Sequence, residues 1–167
     1  MWLKNNSDTF FLIAGPCVVE SEEICFEIAA QLVAITNELN IPFIFKASYK
    51  KANRTKLDSF TTIGEEKALQ ILADLKAHYT IPILTDVHET TDCDKVKDIV
   101  DVIQIPAFLC RQTELLIAAG KTEKTVNIKK GQFLNPADMR YSVKKVLDTR
   151  GVKEEGYAAA KKAGVWL

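Results

Sequence analysis

The feature that most constrains the fold is a repeated alternation between short apolar runs and longer stretches of helical period. The apolar runs are rich in Val, Ile and Phe, as buried parallel strands are, and the intervening stretches are long enough for helical crossovers. This repeat is typical of βα units around a parallel sheet. The six predicted strands span residues 10–15, 42–47, 82–87, 101–105, 125–129 and 165–167.

The stretches between the strands carry signals for helix ends. Ser21 precedes Glu22 and Glu23 and predicts an N-cap, and apolar residues then recur at intervals of three or four. Gly120 predicts the end of a later helix. The other predicted helices span residues 65–79, 91–99 and 112–119, and a fifth opens at Asn135 and Pro136.

The number of βα units limits the possible architecture. Parallel strands with helical crossovers form an open doubly wound sheet or a closed barrel, and a barrel takes eight units and about 250 residues. The 167 residues hold about five and a half units and end on Trp166 and Leu167, inside a predicted strand. We therefore expect an α/β chain that is one domain, 1–167, and the N-terminal part of a truncated barrel.

Charge and cysteine content exclude several classes of function. The chain has 22 Lys plus Arg and 22 Asp plus Glu, so neither nucleic acid nor a membrane surface is expected as a partner. Four cysteines without a Cys-x-x-Cys pair favour a reducing cytoplasm. Pro16 interrupts the apolar residues 10–19, which argues against a leader, and no apolar run approaches the roughly 20 residues of a membrane-spanning helix.

Polar side chains or a thiol follow each of the first five strands at its carboxyl end, where parallel βα folds gather their chemistry. They are Cys17, Lys46, Ser48, Asp86, His88, Gln104, Asn127 and Lys129. Alternate strand residues share a face, and a lysine in an apolar run is costly to bury without an anion. Alternatively, Lys46 extends past the strand end or pairs with Asp86, and His88 is a hydrogen-bonded structural histidine.

A sixteen-residue loop, 49–64, follows the second strand and is too long for a plain connector. Its Lys51, Asn53 and Arg54 suit phosphate oxygens and sugar hydroxyls, and long loops at this end often close over ligands. Arg111, at the start of a helix, can face an anion as well. The alternatives are a solvated basic loop and an ordinary surface arginine.

Five motifs occur in order along the chain. They are residues 14–17 (AGPC), 45–54 (FKASYKKANR), 85–89 (TDVHE), 101–109 (DVIQIPAFL) and 127–132 (NIKKGQ). With them the chain resembles, throughout its length, the 3-deoxy-D-manno-octulosonate 8-phosphate synthases, also called 2-dehydro-3-deoxyphosphooctonate aldolases. The related 3-deoxy-D-arabino-heptulosonate 7-phosphate synthases typically carry Arg-Thr-Ser where this chain has Ala-Asn-Arg at 52–54.

The resemblance implies a cytoplasmic (β/α)₈ barrel enzyme, usually tetrameric, that serves lipopolysaccharide precursor synthesis. Such an enzyme joins carbon 3 of phosphoenolpyruvate to the aldehyde of D-arabinose 5-phosphate. Carbon 2 gains a water-derived oxygen, and inorganic phosphate is released with 3-deoxy-D-manno-octulosonate 8-phosphate.

The resemblance also implies a role for each residue of the site. The carboxylate end of phosphoenolpyruvate would be held by Lys46, Ser48, Lys51 and Gln104. Its phosphate would be held by Lys129 and the backbone of Ala107. Arabinose 5-phosphate would be bound by Asn53 and Arg54, with Arg111 from a neighbouring subunit. The catalytic groups near the reacting carbons would be Asp86, His88 and Lys51.

A divalent metal ion, such as Zn, Fe or Mn, is implied by Cys17. In metal-dependent members of the family this position is a metal-binding cysteine, and in metal-independent members it is an asparagine. A thiolate with His and carboxylates suits a divalent transition metal. The other ligands of the family, a His, a Glu and an Asp, lie beyond residue 167, as does an arginine for phosphate.

Three alternatives to this function stay open. The chain could be a non-catalytic fragment that binds phosphorylated ligands or packs against a partner. It could belong to the heptulosonate synthases. It could also be a Schiff-base aldolase that uses Lys46 or Lys129 as its nucleophile.

Overall fold

The computed structural model describes residues 10–153, 160 and 164–166. In these residues strands and helices alternate, as the sequence predicts, and no described helix has the length and apolar character needed to cross a membrane. The chain divides into two compact units, the first ending at Thr85 and the second beginning at Asp86. The prediction of one domain over 1–167 stays a prediction.

The first unit is built from strands β1, β2 and β3 and helices α1 and α2. Their bounds are β1 Leu12–Ala14, α1 Glu22–Glu38, β2 Phe43–Lys46, α2 Glu65–Tyr79 and β3 Ile83–Asp86, the last residue of which opens the second unit. β1 pairs in parallel with β2, and β2 in parallel with β3. Both faces of β2 are buried, since Phe43, Ile44 and Phe45 are all in the core, as is typical of parallel strands.

The second unit continues the same alternation. Its elements are α3 Thr90–Val96, β4 Val102–Ile105, α4 Thr113–Lys121, β5 Thr125–Ile128, α5 Met139–Thr149 and β6 Val165–Trp166, with short 3₁₀ helices at Ala107–Leu109 and Pro136–Asp138. β4 pairs in parallel with β5, and β5 with β6. The prediction of an α/β chain with about five and a half parallel βα units is confirmed.

The signals for helix starts are confirmed in detail. The Ser21 side chain accepts a hydrogen bond from the backbone N–H of Ile24 at 3.2 Å and caps α1. Asn135 likewise accepts from the N–H of Ala137 at 2.9 Å. That second cap opens a 3₁₀ turn, however, and α5 begins only at Met139.

Two helix ends lie two and three residues from their predicted positions. α4 runs through Gly120 to Lys121. A Cβ at position 120 would lie 3.0 Å from the Thr149 side chain of α5. Gly120 therefore allows two helices to approach closely and does not end one. α3 ends at Val96, short of the predicted 99, and the N–H groups of Ile99 and Val100 both bond to the Val96 carbonyl in a tight turn.

Candidate functional site

The ends of β1 and β2 stay in contact beyond the strands themselves. Gly15 follows β1 so closely against β2 that a Cβ there would lie 2.2 Å from the Lys46 carbonyl oxygen. The Ser48 N–H then donates to the Cys17 carbonyl at 3.4 Å, and the Val19 N–H donates to the Ser48 carbonyl at 3.0 Å. Cys17 and Ser48 are thereby held side by side at the carboxyl ends of neighbouring strands.

Two lysine ammonium groups meet at the hydroxyl of Ser48. Lys46 Nζ lies 3.4 Å and Lys51 Nζ lies 3.0 Å from Ser48 Oγ, and Lys46 Nζ also donates to the Cys17 carbonyl at 3.4 Å. Ser48 is fully buried, whereas both lysines are partly exposed. Two like charges on one oxygen repel each other, so an anion bound between them would be stabilised. We call Lys46, Ser48 and Lys51 the lysine cluster.

Lys50, between the two lysines of the cluster in sequence, has a different environment. Its ammonium forms an ion pair with Glu65 at 3.1 Å and lies 5.3 Å from the centre of the Tyr49 ring. The run holds three lysines, and the structure places the ammonium groups of Lys46 and Lys51 at the Ser48 hydroxyl and that of Lys50 beside Glu65.

Thr85, which was not predicted as a site residue, bonds to the backbone on both sides of Ser48. Its buried hydroxyl donates to the Ala47 carbonyl at 2.8 Å and accepts from the Tyr49 N–H at 3.3 Å. These two groups flank Ser48 in the chain. A threonine in a strand is so common that no local signal predicts this contact.

The loop after β2 is closed at its base and exposed beyond it. The Lys51 N–H donates to the Thr61 carbonyl at 2.8 Å, and the Thr62 hydroxyl donates to the Tyr49 carbonyl at 2.8 Å. Asn53 and Arg54 are exposed, and neither side chain forms a hydrogen bond or ion pair within the part of the chain that is described. The structure therefore leaves the two predicted sugar ligands in solvent.

In the second unit, Asp86 and His88 meet as the strand alternation predicts. His88 Nε2 lies 3.2 Å from Asp86 Oδ2, and both side chains are largely buried. Because an ionised carboxylate only accepts, Nε2 carries the hydrogen in this contact. His88 Nδ1 forms no hydrogen bond with the described residues and lies 3.9 Å from Asp92 Oδ2.

Asp92 was not predicted and fixes the backbone beside His88. Its Oδ2 accepts from the N–H groups of His88 at 3.0 Å and Glu89 at 3.1 Å, and its side chain is fully buried. Glu89 and Asp92 form a capping box at the start of α3. An acidic residue three positions after the N-cap is the sequence signal that would have found it.

The remaining predicted residues of the second unit are a hydrogen-bonded pair, the partly buried Ala107 and two exposed cations. Gln104 is buried, and its Oε1 accepts from Asn127 Nδ2 at 3.0 Å. Ala107 opens a 3₁₀ helix after β4. Lys129 and Arg111 are exposed, and their cationic groups form no ion pair with another described residue. Both remain able to contact an anion.

The cysteines differ in their exposure. Cys17 is exposed, whereas Cys25, Cys93 and Cys110 are buried. Burial raises the pKa of Cys25 to about 11 and that of Cys93 to about 12. Both are therefore protonated thiols near neutral pH.

The Cys17 thiol in the first unit is a suitable ligand for a metal ion. The Cys17 thiol is accessible, but the described residues contain no group of three or more His, Cys, Asp or Glu side chains that could hold a metal ion. These residues therefore do not make a complete metal site. Cys17 can contribute one ligand to such a site.

Comparison with known proteins agrees with the motifs. The model of the DAHP synthetase I family matches residues 3–156. The chain is 56% identical over 156 residues to the 2-dehydro-3-deoxyphosphooctonate aldolase of Campylobacter jejuni subsp. doylei. The aligned residues are 93% of this chain and 58% of that relative. Proteins of the same name from Wolinella succinogenes and Helicobacter hepaticus are 51% and 47% identical over 156 residues, again 93% of this chain, with 59% and 58% of their own lengths covered.

The resemblance predicted from the five motifs is confirmed by these matches. The chain spans a little under 60% of the length of the curated relatives that it matches. The identities extend across both units, since the aligned 156 residues exceed either unit alone.

Proposed function

The chain belongs to the DAHP synthetase I family, and we propose that the protein condenses phosphoenolpyruvate with D-arabinose 5-phosphate and water. The products are 3-deoxy-D-manno-octulosonate 8-phosphate and inorganic phosphate. The observation that carries the proposal is the approach of two ammonium groups to Ser48 Oγ. The chain is also 56% identical to a relative that is named as an aldolase of this product.

The lysine cluster suits the carboxylate of phosphoenolpyruvate. A carboxylate has two oxygens and accepts charge-assisted hydrogen bonds from Lys46 and Lys51, while the Ser48 hydroxyl can donate to it. Neutralising this charge allows the second anionic substrate to approach carbon 3, which reduces the electrostatic barrier to the new carbon–carbon bond.

The exposed cations suit the phosphates of the substrates. Asn53 and Arg54 would bind arabinose 5-phosphate, since their side chains are in solvent and Arg matches phosphate oxygens in a bidentate manner. Lys129, the Ala107 backbone and Gln104 would contact phosphoenolpyruvate. Arg111 would act from a neighbouring subunit of a homotetramer, and the enzyme would work in the cytoplasm.

The Asp86 and His88 pair suits proton transfer. The condensation forms a hydroxyl from the aldehyde oxygen, which gains one proton. The water that attacks carbon 2 loses one proton as it adds and its second as the bond from carbon 2 to the phosphate oxygen breaks, so carbon 2 ends as a ketone and phosphate leaves with a proton. With Nε2–H donating to the buried Asp86 carboxylate at 3.2 Å, the His88 ring would take up and release a proton at Nδ1. Lys51, at the lysine cluster, can stabilise developing negative charge.

Cys17 would supply one ligand to a divalent metal ion. Its thiolate suits a transition metal such as Zn, Fe or Mn, which would orient the aldehyde or the water when bound. A chelator is expected to lower the activity, and Cys17→Asn to make the activity less dependent on added metal.

The test is sugar-dependent phosphate release. The purified chain is incubated with phosphoenolpyruvate and a divalent metal, with and without arabinose 5-phosphate, and phosphate is measured. The 2-dehydro-3-deoxyphosphooctonate aldolase of Campylobacter jejuni, assayed in parallel, is the matched control. Phosphate release that requires the sugar is expected.

Other outcomes separate the alternatives. Binding of phosphoenolpyruvate without sugar-dependent release would replace the enzyme by a ligand-binding chain. Release with erythrose 4-phosphate, and none with arabinose 5-phosphate, would assign the heptulosonate reaction. If the chain neither binds phosphoenolpyruvate nor releases phosphate, the proposed function is contradicted.

A further inference from the structure

We propose that Thr85 is a positioning residue that sets the direction of the Ser48 side chain and so holds the lysine cluster in place. The inference rests on the proposed function only where it names the anion as phosphoenolpyruvate. The geometry of the backbone around Ser48 carries the rest.

One hydroxyl fixes both peptide groups that flank Ser48. The Ala47 carbonyl belongs to the peptide before Ser48, and the Tyr49 N–H belongs to the peptide after it. Thr85 Oγ1 donates to the first at 2.8 Å and accepts from the second at 3.3 Å. Since φ and ψ of Ser48 are rotations relative to these two planes, the hydroxyl restrains both angles and thereby the Cα–Cβ direction.

The hydroxyl acts next to the paired residues of β2 and β3. The Phe45 N–H bonds to the Pro82 carbonyl and the Ala47 N–H to the Leu84 carbonyl, as in a parallel ladder. The next N–H in the series, that of Tyr49, donates to the Thr85 hydroxyl at 3.3 Å. Thr85 therefore extends the support of β3 by one step, to the residue that follows Ser48.

Water cannot easily replace this hydroxyl. Ala47, Ser48, Tyr49 and Thr85 are all fully buried. A variant that lacks the hydroxyl would lose the bonds to the Ala47 carbonyl and the Tyr49 N–H, and this segment would be free to shift. Because Lys46 and Lys51 both bond to Ser48 Oγ, a rotation of Ser48 would move the shared acceptor of both ammonium groups.

The experiment compares Thr85→Val with Thr85→Ser and with a control of the same type elsewhere. Valine keeps the shape and removes the hydroxyl, whereas serine keeps the hydroxyl. The control is Thr36→Val in α1, where another buried hydroxyl donates to the Leu32 carbonyl at 2.7 Å. For each folded variant, phosphoenolpyruvate affinity is measured by calorimetry and the exchange of the Tyr49 amide hydrogen by NMR.

Thr85→Val is expected to weaken phosphoenolpyruvate binding by about tenfold and to speed exchange of the Tyr49 amide by about tenfold, as loss of one buried hydrogen bond implies. Thr85→Ser should stay within about twofold of the parent in both. Thr36→Val should lower stability and change neither readout. If Thr85 had a merely structural role, Thr85→Val would behave in the same way.

The outcomes distinguish this inference from the proposed function. If the parent chain does not bind phosphoenolpyruvate, the proposed function fails, and the positioning role is then decided by the Tyr49 amide alone. Unchanged amide exchange in Thr85→Val overturns the inference, whether or not the parent binds. Faster exchange with unchanged affinity would also overturn it, since Ser48 would then be displaced without consequence for the cluster.

Discussion

Replacing Gly15 by alanine tests the close approach of β1 to β2, which brings Cys17 beside the lysine cluster. The new Cβ would lie 2.2 Å from the Lys46 carbonyl oxygen and 3.0 Å from its carbonyl carbon. Both are backbone atoms, so no side-chain rotation can relieve the clash. The strands would have to separate by about 1 Å to restore ordinary contact.

A separation of that size would break hydrogen bonds of the β1 and β2 ladder, whose last pair is Ala14 with Phe45. Loss of one or two such bonds at about 1 kcal/mol each, added to an overpacking cost of about 1–3 kcal/mol, gives a destabilisation of about 3 kcal/mol. The backbone at Gly15 has φ +154°, which adds strain for any residue with a Cβ.

The control is Gly64→Ala. Gly64 also has a positive φ, +110°, but a Cβ there would meet nothing within 4 Å. It therefore carries the backbone strain without the clash, at about 1 kcal/mol. Urea unfolding followed by far-UV circular dichroism gives the free energy for each variant. If Gly15→Ala is no less stable than Gly64→Ala, the strands can move apart freely and the packing argument is refuted.

Three further predictions concern exposed and buried side chains. Ellman's reagent should modify Cys17 alone in the folded chain and all four cysteines after unfolding. The contribution of the two buried thiols to the free energy of unfolding should be full below about pH 9 and fall above it. The pKa values of Cys25 and Cys93 are raised from 9.0 to about 11 and about 12, so the thiols of the unfolded chain ionise first. The Cys25→Ala/Cys93→Ala double variant should show a shallower fall. Arg54→Ala should leave the unfolding midpoint unchanged, since the side chain is exposed, and raise the KM for arabinose 5-phosphate about tenfold. Lys56→Ala, exposed in the same loop, should have little effect, and equal effects would mean that the loop contributes only general charge.

The sequence predicted the elements well because their signals are local. The Ser21 cap and the polar residues at the strand ends are where the patterns place them. The apolar repeat of α1 predicted the helix without showing its buried face, since Ile24 and Ile35 are exposed and Cys25 and Ala29 are buried. Helix periodicity reports a repeat, whereas burial depends on which elements surround the helix.

The roles of individual side chains at the site were less predictable, because they depend on contacts between distant residues. Nothing in the run of residues 46–51 separates Lys50 from its neighbours; its partner, Glu65, lies fifteen residues along the chain. Thr85 bonds to residues 36 and 38 positions away. Such contacts follow from the register of β2 with β3, which the sequence does not specify by itself.

The central claim is that Lys46 and Lys51, joined through Ser48, form the site for the carboxylate of phosphoenolpyruvate. The most direct measurement is the dissociation constant for phosphoenolpyruvate of Lys51→Met beside that of Lys50→Met. Loss of one charge-assisted hydrogen bond, about 1.5–3 kcal/mol, should raise the dissociation constant of Lys51→Met about tenfold to a hundredfold. Lys50→Met removes the ion pair with Glu65 at 3.1 Å and the contact with the Tyr49 ring, and it should bind within about twofold of the parent. Equal weakening by the two substitutions would contradict the account, because the anion would then respond to the charge of the segment and not to the lysine cluster.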